Sequence, residues 1–231
     1  MKQGSYKCEK CRDTGWVLVP QEKYSPLAVS CEYRELEKVK NTWITSGINP
    51  ELCNHNFSNF EIWNEASRNA KAAAANYFKD FSAIKRYRHN SILLCGEVGS
   101  GKSHLTIALA LNLLKKNIKV VYMPYRDIIT KLKQNMLNEE FYQRTISKYQ
   151  SCEVLLIDDL FKGKITESDI NIVFEILKYR YLNHLPIIIS TEFLIDELLD
   201  FDEGVGSRIY EMCKIYMVEI EKGREGNFRM R

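Results

Sequence analysis

SILLCGEVGSGKSH, residues 91 to 104, decides the fold: four apolar residues break into a glycine-rich loop and then into lysine, serine and a helical pattern. Ile92, Leu93, Leu94 and Cys95 have the length and continuity of a buried strand, and Leu105, Ile107, Ala108, Leu109, Leu111 and Leu114 follow at helical spacing. Strand, G-x-x-x-x-G-K-S and helix together make a phosphate-binding loop. Gly96, Gly99 and Gly101 free the backbone so that successive N–H groups can close around a di- or triphosphate, and the helix adds the positive end of its dipole. The candidate nucleotide contacts are Gly96, Glu97, Val98, Gly99, Ser100, Gly101, Lys102, Ser103 and His104. Lys102 is placed for the β- and γ-phosphates, and Ser103 is the expected Mg²⁺ ligand.

Downstream, EVLLIDDL (153 to 160) is an apolar strand ending in two acids, where a phosphate-binding-loop enzyme needs them, because strand ends in open α/β sheets border the ligand crevice. Asp158 is the candidate partner of Mg²⁺, and Asp159 the candidate that orients or deprotonates the attacking water. PIIIS (186 to 190) ends a third buried strand in hydroxyls, so Ser190 or Thr191 is a candidate contact to the γ-phosphate or that water. GVGSRIYEMC then places Arg208 in the first turn of a short helix, as a surface residue or as an arginine finger for a neighbouring subunit. Arg224, Arg229 and Arg231 near the C-terminus contact phosphate or keep the tail solvated.

Around these motifs, strands alternate with helices: a strand at 119 to 124, helical patterns at 125 to 137 and 139 to 149, another at 167 to 183, a short one near 194 to 199, and a strand at 214 to 220. Such alternation implies a parallel sheet covered on both faces. Ahead of the loop, NEASRNAKAAAANYFKDF (64 to 81) is a helix capped by Asn64, with Ala66, Ala70, Ala73, Tyr77 and Phe81 on one face.

A length of 231 residues allows one large domain, or an ordinary domain with a small appendage. A net charge of +3 is too small to argue for nucleic acid by itself. No run reaches the roughly 18 apolar residues of a membrane span, and MKQGSYKCEKC has no apolar h-region, so a cytoplasmic protein without a membrane partner is expected. Seven cysteines in such a chain are expected to be reduced, so those with ligand-like spacing are read as metal candidates before disulfides. Cys8 and Cys11 sit two residues apart on a turn and Cys31 follows a short β-like stretch, the pattern of part of a zinc knuckle. A fourth ligand would come from Cys53, His55 or water, since phenolic Tyr33 is a poor one. A helix from about Glu32 to Ser46 carries Leu36, Val39 and Trp43 on one face, with Gly47 placed to end it. INPELCNHNFSNF has no period and reads as a connector held down at Phe57 and Phe60.

These residues together resemble a known family, the AAA+ ATPases that load the replicative helicase in bacteria and their phages, the DnaC/DnaI-like loaders. The likeness is carried by YKCEKCRDTGW, NFSNF before an alanine-rich helix, GEVGSGKSHL, VLLIDDL with a second aspartate, and ISTEFLIDELL followed by GSRIYEMC. It implies a five-stranded parallel sheet in the order 5-1-4-3-2, with residues 64–231 as the AAA+ domain, 47–63 as linker and 1–46 as a zinc-knuckle-like, helicase-binding region. It further implies that Ser190 or Thr191 acts as sensor 1, that Arg208 is the arginine finger, and that Arg229 is the terminal sensor-2 arginine. ATP and Mg²⁺ are the implied cofactors, with Zn²⁺ at Cys8, Cys11 and Cys31. The implied function is ATP-dependent loading of the hexameric replicative helicase onto single-stranded DNA, with self-association through the AAA+ domains. Two other readings stay open: an IstB-like transposition helper ATPase, which generally lacks the thiols, and a nucleotide-switched adaptor with little turnover.

Overall fold

The computed structural model describes residues 6–21, 24–45, 52 and 54–230, which divide into two compact units, residues 1–50 and 51–231. Gly47, Cys53, Arg231 and the side chains of Leu36, Val39, Trp43 and Arg224 lie outside the described residues.

In the first unit, β1 (Trp16–Val19) and β2 (Leu27–Ser30) pair antiparallel with Trp16 opposite Ser30, and α1 (Glu32–Thr45) follows. The turn before β1 brings Arg12 N–H to Cys8 O at 2.8 Å and Thr14 N–H to Cys11 O at 3.0 Å. Cys31 N–H then donates to Gly15 O at 2.9 Å, closing the hairpin back onto that turn.

The second unit opens with α2 (Glu65–Ile84), started by a reciprocal cap in which Asn64 accepts from Ser67 N–H and the Ser67 hydroxyl answers the Asn64 N–H. Its buried stripe is Ser67, Ala70, Ala74, Tyr77 and Phe81, strict steps of three and four. Ala66 and Ala73, expected on that face, fall at its edge and are half-buried.

Five strands form the central sheet: β3 (Ile92–Gly96), β4 (Val120–Pro124), β5 (Val154–Leu160), β6 (Ile187–Thr191) and β7 (Met217–Ile220). Their order is β4-β5-β6-β3-β7 and every pairing is parallel. Numbered within the sheet from the loop strand, this is 5-1-4-3-2, as the resemblance implies. β3 and β6 are buried at every residue, as strands covered on both faces must be. The covering helices include α3 (Lys102–Lys115), α4 (Tyr125–Gln134), α5 (Glu139–Ser151), α6 (Glu167–Leu182), α7 (Ile195–Phe201) and α8 (Glu203–Cys213).

Two details depart from the sequence pattern. Asp202 caps α8 by accepting from Val205 N–H at 2.7 Å, so the helix starts earlier and Arg208 falls in its second turn. Gly206 is inside the helix because a side chain there would meet the backbone of Leu198 and Leu199 within 2.9 Å. The other detail is Arg180, fully buried, which donates to the carbonyls of Tyr149, Gln150, Cys152 and Pro186 and so fixes the entry to β5 and β6. Among the described residues no helix is long and apolar enough to cross a membrane.

Candidate nucleotide site

β3 delivers its loop at a point where only glycine fits. Gly96 has φ 106° and lies beside Ile220 of β7, whose carbonyl oxygen would be 1.9 Å from an added Cβ. Gly101, at φ 83°, caps α3 beneath the Phe60 ring, 2.6 Å from where a Cβ would stand. Lys102 is almost wholly buried and folds back over the loop, its ammonium donating to Gly96 O at 2.9 Å, Glu97 O at 2.5 Å and Ser100 Oγ at 3.3 Å. Burial lowers its pKa, while the Glu192 and Asp159 charges pull it back up.

At the end of β5 the two acids are joined by one hydroxyl. Ser190 Oγ donates to Asp158 Oδ1 at 2.6 Å and accepts from Asp159 N–H at 2.9 Å. Tyr122 OH donates to the other Asp158 oxygen at 3.1 Å. Burial pushes the Asp158 carboxyl above its usual value, against the pull of the Ser190 hydrogen bond, and the neighbouring Asp159 charge adds to the rise. Ser103 faces the same carboxylate and helps hold it down. Thr191, the alternative to Ser190, points away: its hydroxyl donates to Leu160 O at 2.8 Å, closing the irregularity between β5 and β6 at Ile157 and Leu160.

Asp159 takes a left-handed conformation at φ 55°, as does Phe161 at φ 62°. Each such non-glycine residue costs on the order of 1–3 kcal/mol. Lys162 then returns over Asp159, its ammonium 2.7 Å from Oδ2 and 3.4 Å from Glu192 Oε1. Partly exposed pairs of this kind contribute only about 0–1 kcal/mol, so they do not offset the strain.

A cavity of about 300 Å³ lies against residues 98 to 104 of the loop and helix start and against Asp159 and Lys162. Its lining is polar at Asp159, Lys162 and Glu192 and aromatic at Phe60, Trp63 and Phe228, whose rings pack on the loop. Trp63 and Phe228 rings lie 5.0 Å apart, and Phe228 N–H donates to Gly99 O at 3.1 Å, which brings Arg229 to the rim. His104 Nε2 lies 3.0 Å from both Asn56 O and Asn59 Oδ1. Both are acceptors, so the proton sits on Nε2, and burial lowers the pKa of the ring. The residues fit a magnesium nucleotide: a loop that side chains would fill, a buried ammonium, and an alcohol and a carboxylate as the oxygen donors magnesium prefers.

Arg208 does not join this cavity. It donates to Gly204 O at 2.6 Å and lies over the rings of Phe174 and Tyr181, with Nε buried and, among the described residues, without a hydrogen-bond partner. The motifs gave Lys162, Glu192, Tyr122 and the aromatic wall no role at the nucleotide site; the spacing of Lys162, three residues after Asp159, is the available signal for the first of them.

In the first unit, the sulfurs of Cys8, Cys11 and Cys31 lie within 4.8 Å of one another, with Cys8 and Cys31 3.8 Å apart. The Cys11 N–H lowers the Cys8 thiol, favouring the thiolate that binds metal. Three clustered thiols fit zinc. Burial raises the Tyr33 phenol, so it stays neutral and remains a poor ligand. His55 belongs to the second unit and borders the nucleotide cavity, its Nδ1 on Leu52 O at 2.8 Å and its ring edge-on to His104.

A family model described as IstB-like ATP binding protein matches residues 55–200. Uncharacterized protein YqaM of Bacillus subtilis is 40% identical over 202 residues, which cover 84% of this chain and 64% of that protein. Replicative helicase loader DnaC of Escherichia coli (strain K12) is 25% identical over 181 residues, covering 77% of this chain and 70% of the loader. Among solved structures, the crystal structure of the DnaC helicase loader superposes with a TM-score of 0.62 at 23% identity, over 74% of this chain and 98% of that one. This last likeness concerns the fold.

Proposed function

The chain belongs to the family of IstB-like ATP-binding proteins and is an AAA+ protein of the DnaC/IstB type, and from that premise we propose that it hydrolyses ATP to load a replicative hexameric helicase onto single-stranded DNA as replication begins. Hydrolysis is supported above all by the Ser190 hydroxyl that joins Asp158 to the Asp159 backbone beside Lys102 and Ser103. Ser103 and Asp158 would hold magnesium, which when bound would supply positive charge against the phosphates. Lys102 holds the β- and γ-phosphates, Asp159 takes the proton of the attacking water, and Ser190 keeps the two acids in register. Arg229 stands at the cavity rim, where a cation meets phosphate.

Loading is supported by the likeness to the Escherichia coli loader over most of the chain and by the three-thiol unit ahead of the ATPase. Helicase binding falls to residues 1–46 and hydrolysis to residues 64–231, in a cytoplasmic protein that self-associates through its AAA+ domains with Arg208 as the finger. The family model is named for IstB-like proteins, so a transposition helper that binds duplex DNA is the second reading. Co-purification decides between them. The full chain is expected to retain the host replicative helicase in the presence of ATP, and Cys8→Ser or Cys31→Ser to weaken that retention. Retention of a transposase on duplex DNA, with no helicase bound, favours the second reading. Hydrolysis measured with and without single-stranded DNA tests the adaptor alternative, which requires negligible turnover in both.

A further inference from the structure

Lys162 is placed by a device that its own ion pairs do not explain. The Phe161 ring is fully buried, with Tyr125 and Phe201 rings at 5.6 and 5.1 Å, which pins the turn after β5. Lys162 N–H returns to Asp159 O at 3.0 Å, so the side chain is swung back over the residue three before it. The result is an ammonium that spans the ends of β5 and β6, 2.7 Å from Asp159 Oδ2 and 3.4 Å from Glu192 Oε1, in the lining of the nucleotide cavity. Two left-handed residues are spent on a pair too exposed to repay them in stability. Strain kept at a site beside the reacting group is an observation from which function is inferred.

We propose that Lys162 is a positioning residue for hydrolysis: anchored on Glu192, its ammonium holds Oδ2 of Asp159 so that Oδ1 faces the attacking water. The inference rests on the reading of Asp159 as the base. In the step, an O–H bond of water breaks and its proton passes to Asp159 Oδ1. The water oxygen bonds to the γ-phosphorus, and the bond from that phosphorus to the bridging oxygen breaks, the electron pair leaving with ADP. A carboxylate free to rotate would present either oxygen, or neither, and lose the orientation on which the step depends.

The test is single-turnover phosphate release by the full chain, together with the Kd for ATP. Lys162→Ala is expected to lower the rate about tenfold or more while Kd stays within about threefold, and Lys162→Arg to recover most of it, because a guanidinium spans the same two carboxylates. In an Asp159→Asn background, Lys162→Ala is expected to change the residual rate by less than about twofold, since it acts through a group already removed. A rate unchanged by Lys162→Ala in otherwise active protein, or full additivity of the two substitutions, overturns the inference alone. A wild-type chain that turns over no ATP overturns the reading beneath it as well. Thermal unfolding of Lys162→Ala close to wild type excludes loss of fold as the cause, and a folded Lys162→Arg carries the same comparison if the alanine variant does not fold.

Discussion

Ser190 and Asp158, 32 residues apart in the chain, are joined by a 2.6 Å hydrogen bond across the ends of adjacent strands. The same hydroxyl accepts from the Asp159 N–H, so one small side chain sets both acids at the end of β5. A hydrogen bond to a charged group is worth about 1.5–3 kcal/mol. Ser190→Ala is therefore expected to slow ATP turnover by about tenfold or more, with Kd for ATP changed by no more than a few fold. Steady-state kinetics beside equilibrium binding checks this. A fall in affinity that matches the fall in rate would make Ser190 a binding residue instead.

His104 gives a pH dependence of stability. Burial puts its folded pKa below its ordinary value of 6.5, so the folded chain takes up that proton less readily than the unfolded one. The stability it contributes is complete above about pH 6.5 and is lost as pH falls from there through the depressed folded value. Unfolding midpoints between about pH 8 and pH 5 should fall more steeply for wild type than for His104→Gln. Parallel profiles would show that another group carries the slope.

The thiol cluster should hold roughly one zinc per chain, and each of Cys8→Ser, Cys11→Ser and Cys31→Ser should remove it. The fourth position falls to Cys53, His55 or water, and with water there a chelator should strip the metal readily. Metal analysis of protein prepared without chelator is the check. Zinc present in wild type and undiminished in Cys31→Ser would contradict the assignment.

How much of this was legible in the sequence follows the reach of each interaction. The loop, the paired acids and the alternating strands are local patterns, and the order of the sheet came from the family resemblance that those patterns carry. Ser190 and Thr191 looked equivalent as letters; only the register of β6 against β5 turns Ser190 to the acids and Thr191 to Leu160 O. The aromatic wall was hidden because it joins remote segments: Trp63 meets Phe228, and Asn64 donates to Glu225 O at 3.2 Å across 161 residues. Lys162 looked like an ordinary surface base until the left-handed turn at Asp159 and Phe161 folded it back. Arg180 gave no signal at all, since burying a guanidinium on backbone carbonyls depends on where α5 and β6 come together.

Arg208 lies on α8, outside the nucleotide cavity of its own chain. Arg208→Ala should leave ATP binding by the isolated protein nearly intact and reduce hydrolysis only under conditions where subunits assemble. Mixing it with Lys102→Ala, which lacks the ammonium that offsets phosphate charge, should restore activity, because the intact site of one subunit meets the intact arginine of the other. No recovery in a mixture shown to co-assemble would exclude the role in trans.

Binding of Mg-ATP at this site and its hydrolysis through Asp159 lie at the centre of the proposed function. Its most direct test is the rate of phosphate release by wild-type protein and by Asp159→Asn, with ATP affinity measured on the same samples in the presence of single-stranded DNA. Wild type should turn over ATP, and the variant should bind ATP as tightly while losing about a hundredfold or more of the rate, since an amide can hydrogen-bond water but cannot take its proton. Equal rates in the two proteins, or binding and turnover lost together, would contradict the account.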